Sequence, residues 1–212
     1  MIVPDQIRDT LIKKLNFNAE NIEKLKIYHE LILKGNQKYN FISKSTEKDI
    51  WHRHILDSAQ IVRFIDFSKR SNLVDLGSGA GFPGIVISVF NQNENFHVKL
   101  YEKSSVKSDF LEDVINKLKL NAICCGSIQD DEIIDADYLV SRAYKKLPKI
   151  MDISRENINK SHKIIILKGK SAQEEINKLP EMEKHRYSLH SSMTEEKSKI
   201  IVVEVDKNIG NE

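Results

Sequence analysis

From Asn72 onward the chain alternates between two hydrophobic periods, and this alternation restricts the fold more than any other feature. Short β-branched runs, "NLVDL", "HVKLYE", "NAICCG", "ADYLVSRA" and "HKIIILKG", are separated by stretches able to cross over as helices, such as "SVKSDFLEDVINKLKL". Strand and helix in alternation predict a parallel sheet covered on both faces. The end of the chain breaks the pattern. "HRYSLHSS" and "KIIVVEV" are separated only by "MTEEK", too short for a parallel crossover, so these runs are expected to form an antiparallel hairpin. The expected fold class is α/β: a seven-stranded sheet with five parallel strands and a C-terminal antiparallel hairpin.

Residues 1–65 read differently. Ile7, Leu11, Ile12 and Leu15 share one helical face, as do Ile22, Leu25, Tyr28, Leu31 and Ile32, with Gly35 as the expected stop. "YNFIS" reads as a connector. Ser45 or Thr46 then caps a helix whose buried side carries Trp51, Ile55, Ile61, Val62 and Ile65. No glycine- or proline-rich linker follows, so a small helical subdomain, 1–65, is expected to pack directly on a larger domain, 66–212.

Composition excludes some classes. With 40% hydrophobic and 30% charged residues the chain is globular, and a net charge of +2 announces no polyanion partner through a global field. No apolar run approaches the roughly 18 residues of a membrane span, and "MIVPDQIRDTLIKK" is not a signal peptide. Cys124 and Cys125 are adjacent, make neither a zinc motif nor a useful bridge, and read as inert packing in a buried strand. No metal site is read. A cytoplasmic protein, monomeric and without membrane attachment, is the expectation.

The first strand ends in "VDLGSGAGFPG", and two ligand readings compete for it. Anchored at Gly79 it matches the dinucleotide pattern GxGxxG. Anchored at Gly77, where the strand ends, it reads as Asp75 followed by GxGxG. The strand boundary and the terminal hairpin favour Gly77, and the whole is similar to the seven-strand plan of class I methyltransferases. A methionine-adenosine cofactor needs close backbone approach, which Gly77 and Gly79 allow, and anions for its ammonium and ribose. Asp75 suits the ammonium side, directly or through water, and Glu102, ending the second strand, suits the ribose hydroxyls. A lone acid at Glu102 suits a nicotinamide ribose equally.

The segments "KYNFIS", "WHRHILDS", "VDLGSGAGFPG", "YEKSSVKSDFL", "SRAYKKL" and "LKGK", from about Lys38 to Gly169, together resemble the bacterial 16S ribosomal RNA guanine-N7 methyltransferase family, ribosomal RNA small subunit methyltransferase G, also called glucose-inhibited division protein B. The resemblance implies S-adenosylmethionine as cofactor and methylation of a guanosine in the 530 loop of 16S rRNA, with that RNA or the small ribosomal subunit as partner. It makes 66–212 the S-adenosylmethionine-dependent methyltransferase domain. It places cofactor contacts on Gly77, Phe82, Ile128, Gln129 and Arg142. Ile128-Gln129 departs from the family's small-residue-then-glutamate pattern, and Asp130 is a second candidate for the adenine contact.

Guanine N7 already carries a lone pair, so its methylation requires no general base; positioning and electrostatics suffice. The place after the fourth strand, where adenine amino-methylases carry an Asn/Asp-Pro-Pro-aromatic motif, reads Ser141-Arg142-Ala143-Tyr144. Arg142 is the candidate catalytic residue, able to fork to guanine O6 or a phosphate; the competing role is an ion pair with Asp75 or Glu102. Tyr144 is a candidate for base stacking. His54, Asp57 and Ser58 lie too close in sequence for a hydrolase triad and read instead as part of a polar cluster, with His54 and Asp57 facing the site. Lys103, Lys107, Lys145, Lys146, Lys149, Lys168 and Lys170 are expected to line the carboxyl edge of the sheet as an RNA-facing rim. The alternative is a class I methyltransferase of a small molecule or protein, distinguished by whether RNA competes and salt weakens binding.

Overall fold

The computed structural model describes residues 3–128, 133–179 and 186–207. Its centre is a seven-stranded sheet in the order β3-β2-β1-β4-β5-β7-β6. The strands are β1 Ser71–Leu76, β2 Phe96–Tyr101, β3 Ala122–Cys125, β4 Tyr138–Arg142, β5 His162–Lys168, β6 Tyr187–Ser191 and β7 Lys199–Val205. The first five pair in parallel, whereas β7 runs antiparallel to both β5 and β6. The hairpin therefore returns with its last strand inside, next to β5.

Alternation along each strand divides the core in two. On β5, Ile165 and Leu167 face one cluster while Ile164 and Ile166 face the other. The first cluster takes its helical side chains from α1 Asp5–Asp9, α2 Ala19–Asn36, the segment Trp51–Phe64, α4 Gly84–Phe90 and α5 Ser105–Leu118; α3, Asp57–Ala59, is one turn within that segment. The second packs α6 Leu147–Asn157 and α7 Ala172–Ile176 on the opposite face. One apolar cluster thus runs without a break from Val3 to Val202. Asn21 ties the layers locally: it closes a reciprocal capping box with Asn18 and sends its buried amide to Val89 O at 2.6 Å.

Three local expectations need correction. Gly35 lies inside α2, which runs to Asn36; a Cβ there would overlap the Phe41 ring, so its smallness serves packing rather than termination. Thr46 does not cap the following helix with its side chain, because its hydroxyl is engaged elsewhere. Cys124 and Cys125 sit on β3, an edge strand, and are half-buried rather than interior.

Candidate functional site

β1 and β4 are neighbours whose chains leave in opposite directions across the sheet, and the crevice between their carboxyl ends is where such sheets bind ligands. The turn after β1 fills the floor of that crevice. Gly77, Gly79 and Gly81 have φ of 69°, 60° and 103°, the left-handed region that costs a side-chain-bearing residue about 1–2 kcal/mol. Gly77 and Ser78 donate their N–H groups to Tyr101 O on β2, at 2.9 and 3.1 Å. A Cβ on Gly77 would collide with the Tyr144 ring.

Two acids hold this turn, in different ways. Glu102 accepts from Gly79 N–H at 2.9 Å and Ser104 N–H at 2.8 Å while lining the cavity. Each of its oxygens has a further lone pair for a hydroxyl. Asp75 is wholly buried and is not among the residues lining the cavity. Its Oδ2 accepts from Gly84 N–H at 2.9 Å, its Oδ1 has no partner, and burial pushes its pKa up to about 7. The expected direct role of Asp75 toward a ligand ammonium does not fit this position; it braces the turn from beneath. Tyr28 braces it from above the sheet face, donating its hydroxyl to Ala80 O at 2.6 Å.

The cavity over the turn has a volume of about 450 Å³, inside the usual range of roughly 300–1,000 Å³ for small-ligand sites. Gly77, Gly79, Phe82, Glu102, Ile128 and Arg142 all line it. Gln129 and Asp130 lie outside the described residues. Phe41, Ile42 and Ser43, from the stretch read as a connector, also contribute to the wall; the only signal for them was their place in the motif "KYNFIS". Tyr144 lines the cavity too, against Gly77, with Lys145 Nζ 5.1 Å from its ring centre.

Arg142 is the hub. Neither Asp75 nor Glu102 is its ion-pair partner. It reaches Asp57 Oδ2 at 3.5 Å, donates to Arg53 O at 3.0 Å and to His54 Nδ1 at 2.8 Å, and lies 4.9 Å over the Phe82 ring. Arginine has five donors and no acceptor, so Nε–H and one Nη2–H remain for a ligand. Because Arg142 can only donate, His54 Nδ1 must accept. The ring proton is then on Nε2, which donates to Thr46 Oγ1 at 2.8 Å, and Thr46 donates onward to Ser43 O at 3.0 Å. Burial, reinforced by Arg142 and Arg53, drives the His54 pKa down to about 3. Asp57 Oδ1 accepts from Thr194 Oγ1 at 2.7 Å and Gln60 Nε2 at 2.9 Å. No triad forms: Ser58 Oγ is buried without a partner.

A second cavity of about 490 Å³ shares Arg142, His54 and Ala143 with the first. Among the rim cations, Lys103 and Lys107 line the first cavity. Lys168 does not belong to an exposed rim: it is 10% exposed, pairs with Glu175 at 2.9 Å and donates to Lys145 O at 2.6 Å. Among the described residues no helix is long and apolar enough to cross a membrane, and no cluster of His, Cys, Asp or Glu is arranged to hold a metal ion.

Residues 21–203 match the model of the family described as rRNA small subunit methyltransferase G. The ribosomal RNA small subunit methyltransferase G of Pelagibacter ubique (strain HTCC1062) is 40% identical over 169 residues, 77% of this chain and 78% of that protein. The protein of the same name from Rickettsia akari (strain Hartford) is 39% identical over 190 residues, 89% and 96% of the two chains. Among solved structures, a SAM dependent methyltransferase from Aquifex aeolicus superposes with a TM-score of 0.53 at 15% identity, covering 70% of this chain and 88% of that one. P. horikoshii TYW2 in complex with MeSAdo gives 0.53 at 14% identity, covering 73% and 63%. These two show the fold alone: the class I methyltransferase sheet.

Proposed function

The chain belongs to the rRNA small subunit methyltransferase G family, and from that premise we propose that it methylates N7 of a guanine in the 530 loop of 16S rRNA, in the cytoplasm, using S-adenosylmethionine. Methylation of small-subunit rRNA is the family's activity; the N7 position is what the sequence resemblance implies, and the chemistry of the site supports it. The cofactor supplies a methyl group on a sulfonium, ready for in-line displacement.

The first cavity fits that cofactor. Gly77 offers a backbone without a side chain, Glu102 has acceptor capacity for a ribose diol, and Ile128 offers an apolar face to adenine. Phe82 and Gly79 complete the floor, and Asp75 keeps the turn in shape by holding Gly84 N–H. We assign residues 1–65 to a helical subdomain and 66–212 to the transfer domain.

One observation carries the choice of N7. The imidazole at this site, His54, is held as a neutral acceptor by Arg142 and cannot take a proton in the neutral range. Methylating an amino group or N1 of guanine removes a proton, whereas N7 has none to lose. Arg142, a permanent cation with two unspent donors, is suited to hold O6 while N7 meets the methyl group. The test is incubation of the chain with unmodified small subunits and labelled S-adenosylmethionine, followed by mass mapping of the RNA. 7-Methylguanosine in the 530 loop is expected. Label on another atom or another loop removes the reading.

A further inference from the structure

The chain that follows α2 turns outward at Lys38, Tyr39 and Asn40, all three exposed. Tyr39 is 48% exposed and Val106, on α5, 39%. These two large side chains line a groove of about 330 Å³, together with Lys38, Asn40, Phe41, Ser104 and Lys107. The groove joins the cofactor cavity at Phe41 and Lys107, which line both. Resting on the reading above, we propose that this groove is a stacking subsite for RNA. It takes an unpaired base from the strand flanking the methylated guanosine, laid on the ring of Tyr39.

The backbone holds this exposed ring in place. Lys38 and Tyr39 both donate their N–H groups to Gly35 O, at 3.0 and 2.9 Å, and Phe41 N–H returns to Tyr39 O at 3.0 Å. Asn36, at the end of α2, accepts from Ile42 N–H at 3.1 Å and donates to Glu47 at 3.1 Å, which pins the far side of the turn. The Tyr39 ring centre lies 5.6 Å from that of Phe41, and Phe41 lies 4.4 Å from Phe110. Phe41 seats itself in the space that a Cβ on Gly35 would fill. A ring anchored in this way is ordered before a ligand arrives, so stacking on it costs the protein little further entropy.

The rest of the lining selects the partner. No carboxylate borders the groove. Lys38, Lys107 and the neighbouring Lys103 have no carboxylate partner among the described residues. The Asn40 amide makes no hydrogen bond among the described residues either, so it has both a donor and an acceptor for a base edge. Ring for base, cation for phosphate and amide for edge are the parts by which single-stranded RNA is held. An apolar peptide would leave those cations unpaired, whereas each nucleotide brings a planar base and a phosphate together.

Substitutions at Tyr39 separate a stacking ring from a merely structural one. Tyr39→Ala is expected to keep the thermal midpoint and S-adenosylhomocysteine affinity of the parent, while KM for unmodified small subunits rises about tenfold and kcat changes little. Tyr39→Phe and Tyr39→Trp keep a ring and should hold KM within about twofold. Lys38→Ala should make the salt dependence of KM shallower. An unchanged KM in Tyr39→Ala overturns the proposal. A second measurement needs no variant to fold. The parent chain is bound to unmodified small subunits with S-adenosylhomocysteine present, irradiated with ultraviolet light, digested and mapped by mass spectrometry. A nucleotide of the 530 loop attached to the peptide that contains Tyr39 supports the stack. A ribosomal protein attached there, or RNA crosslinks that avoid this peptide, overturn it. Failure of the wider reading looks different: the parent chain then methylates no small-subunit RNA, and the crosslink still decides whether a base lies on Tyr39.

Discussion

Arg142 donates to His54 Nδ1 at 2.8 Å, and this contact defines the imidazole as neutral, protonated on Nε2 and passing its hydrogen bond to Thr46. A charged imidazole would have to place a proton between two donors. The pKa of about 3 expresses that conflict together with burial. The sign of the linkage follows. In the unfolded chain His54 titrates near its ordinary 6.5, so between that value and about 3 the unfolded state binds the extra proton. Stability on this account is intact above pH 6.5 and declines as pH falls, by roughly 2 kcal/mol at pH 5. His54→Asn, which keeps an acceptor near Nδ1, should lose that acid-side slope in urea denaturation measured from pH 7.5 to 5. An unchanged slope means the proton is taken up elsewhere.

Asp75 works in the opposite sense. Its folded pKa is raised by burial from the ordinary 3.8 to about 7, so the folded state holds the proton between those values and stability from this group falls as pH rises through them. Asp75→Asn retains an acceptor for Gly84 N–H and cannot ionise. The difference in unfolding free energy between Asp75→Asn and the parent should therefore grow in the variant's favour from pH 4 to pH 7. Asp75→Ala instead leaves Gly84 N–H unpaired and should cost about 1–3 kcal/mol at any pH.

Gly77 and Tyr144 should prove coupled. Gly77→Ala combines a strained φ of 69° with overlap on the Tyr144 ring. Calorimetry is expected to show S-adenosylmethionine binding weakened at least tenfold, about 1.4 kcal/mol. Truncating the ring removes the overlap but not the backbone strain. Gly77→Ala with Tyr144→Ala should thus bind better than the sum of the two single losses, with a coupling above roughly 0.5 kcal/mol. Strict additivity would place the damage at the ligand alone.

Arg142→Ala is expected to fold, to retain S-adenosylmethionine binding within a few-fold, and to lose methylation by about 100-fold or more in single turnover. Arg142→Lys should recover little, since one ammonium cannot reach Arg53 O, His54 Nδ1 and Asp57 while presenting two further donors. Near-normal turnover in folded Arg142→Ala would reduce Arg142 to a bridge between Asp57 and the sheet.

Much of this was legible in the order of residues. The five-residue gap "MTEEK" betrayed the hairpin, and the end of β1 at Leu76 put the turn at Gly77, because period and turn chemistry are local properties. Partnership is not local. Arg142 was a candidate partner for Asp75 or Glu102 by proximity to strand ends. Both acids instead accept from backbone N–H groups, of Gly84 and of Gly79 and Ser104, and the arginine pairs with Asp57. Lys168 followed a strand like the other rim lysines, yet Glu175 draws it inward. The cysteines looked interior because nothing in "NAICCG" tells that its strand is the last in the sheet. Thr46 entered the site only through a ring eight residues away whose tautomer is set by an arginine eighty-eight residues away.

One wall of the second cavity is built by contacts between distant parts of the chain: Thr194 to Asp57, Met193 N–H to Gln60, and Glu195 to Arg53. A polypeptide still being synthesised exposes Arg53, Asp57 and Gln60 long before the residues that close over them leave the exit tunnel. Until then Asp57 lacks its hydroxyl partner and Gln60 its backbone donor, and the chamber has no far wall. The second cavity therefore takes shape only after the C-terminal hairpin has paired onto the sheet and laid residues 192–198 against the segment Trp51–Phe64.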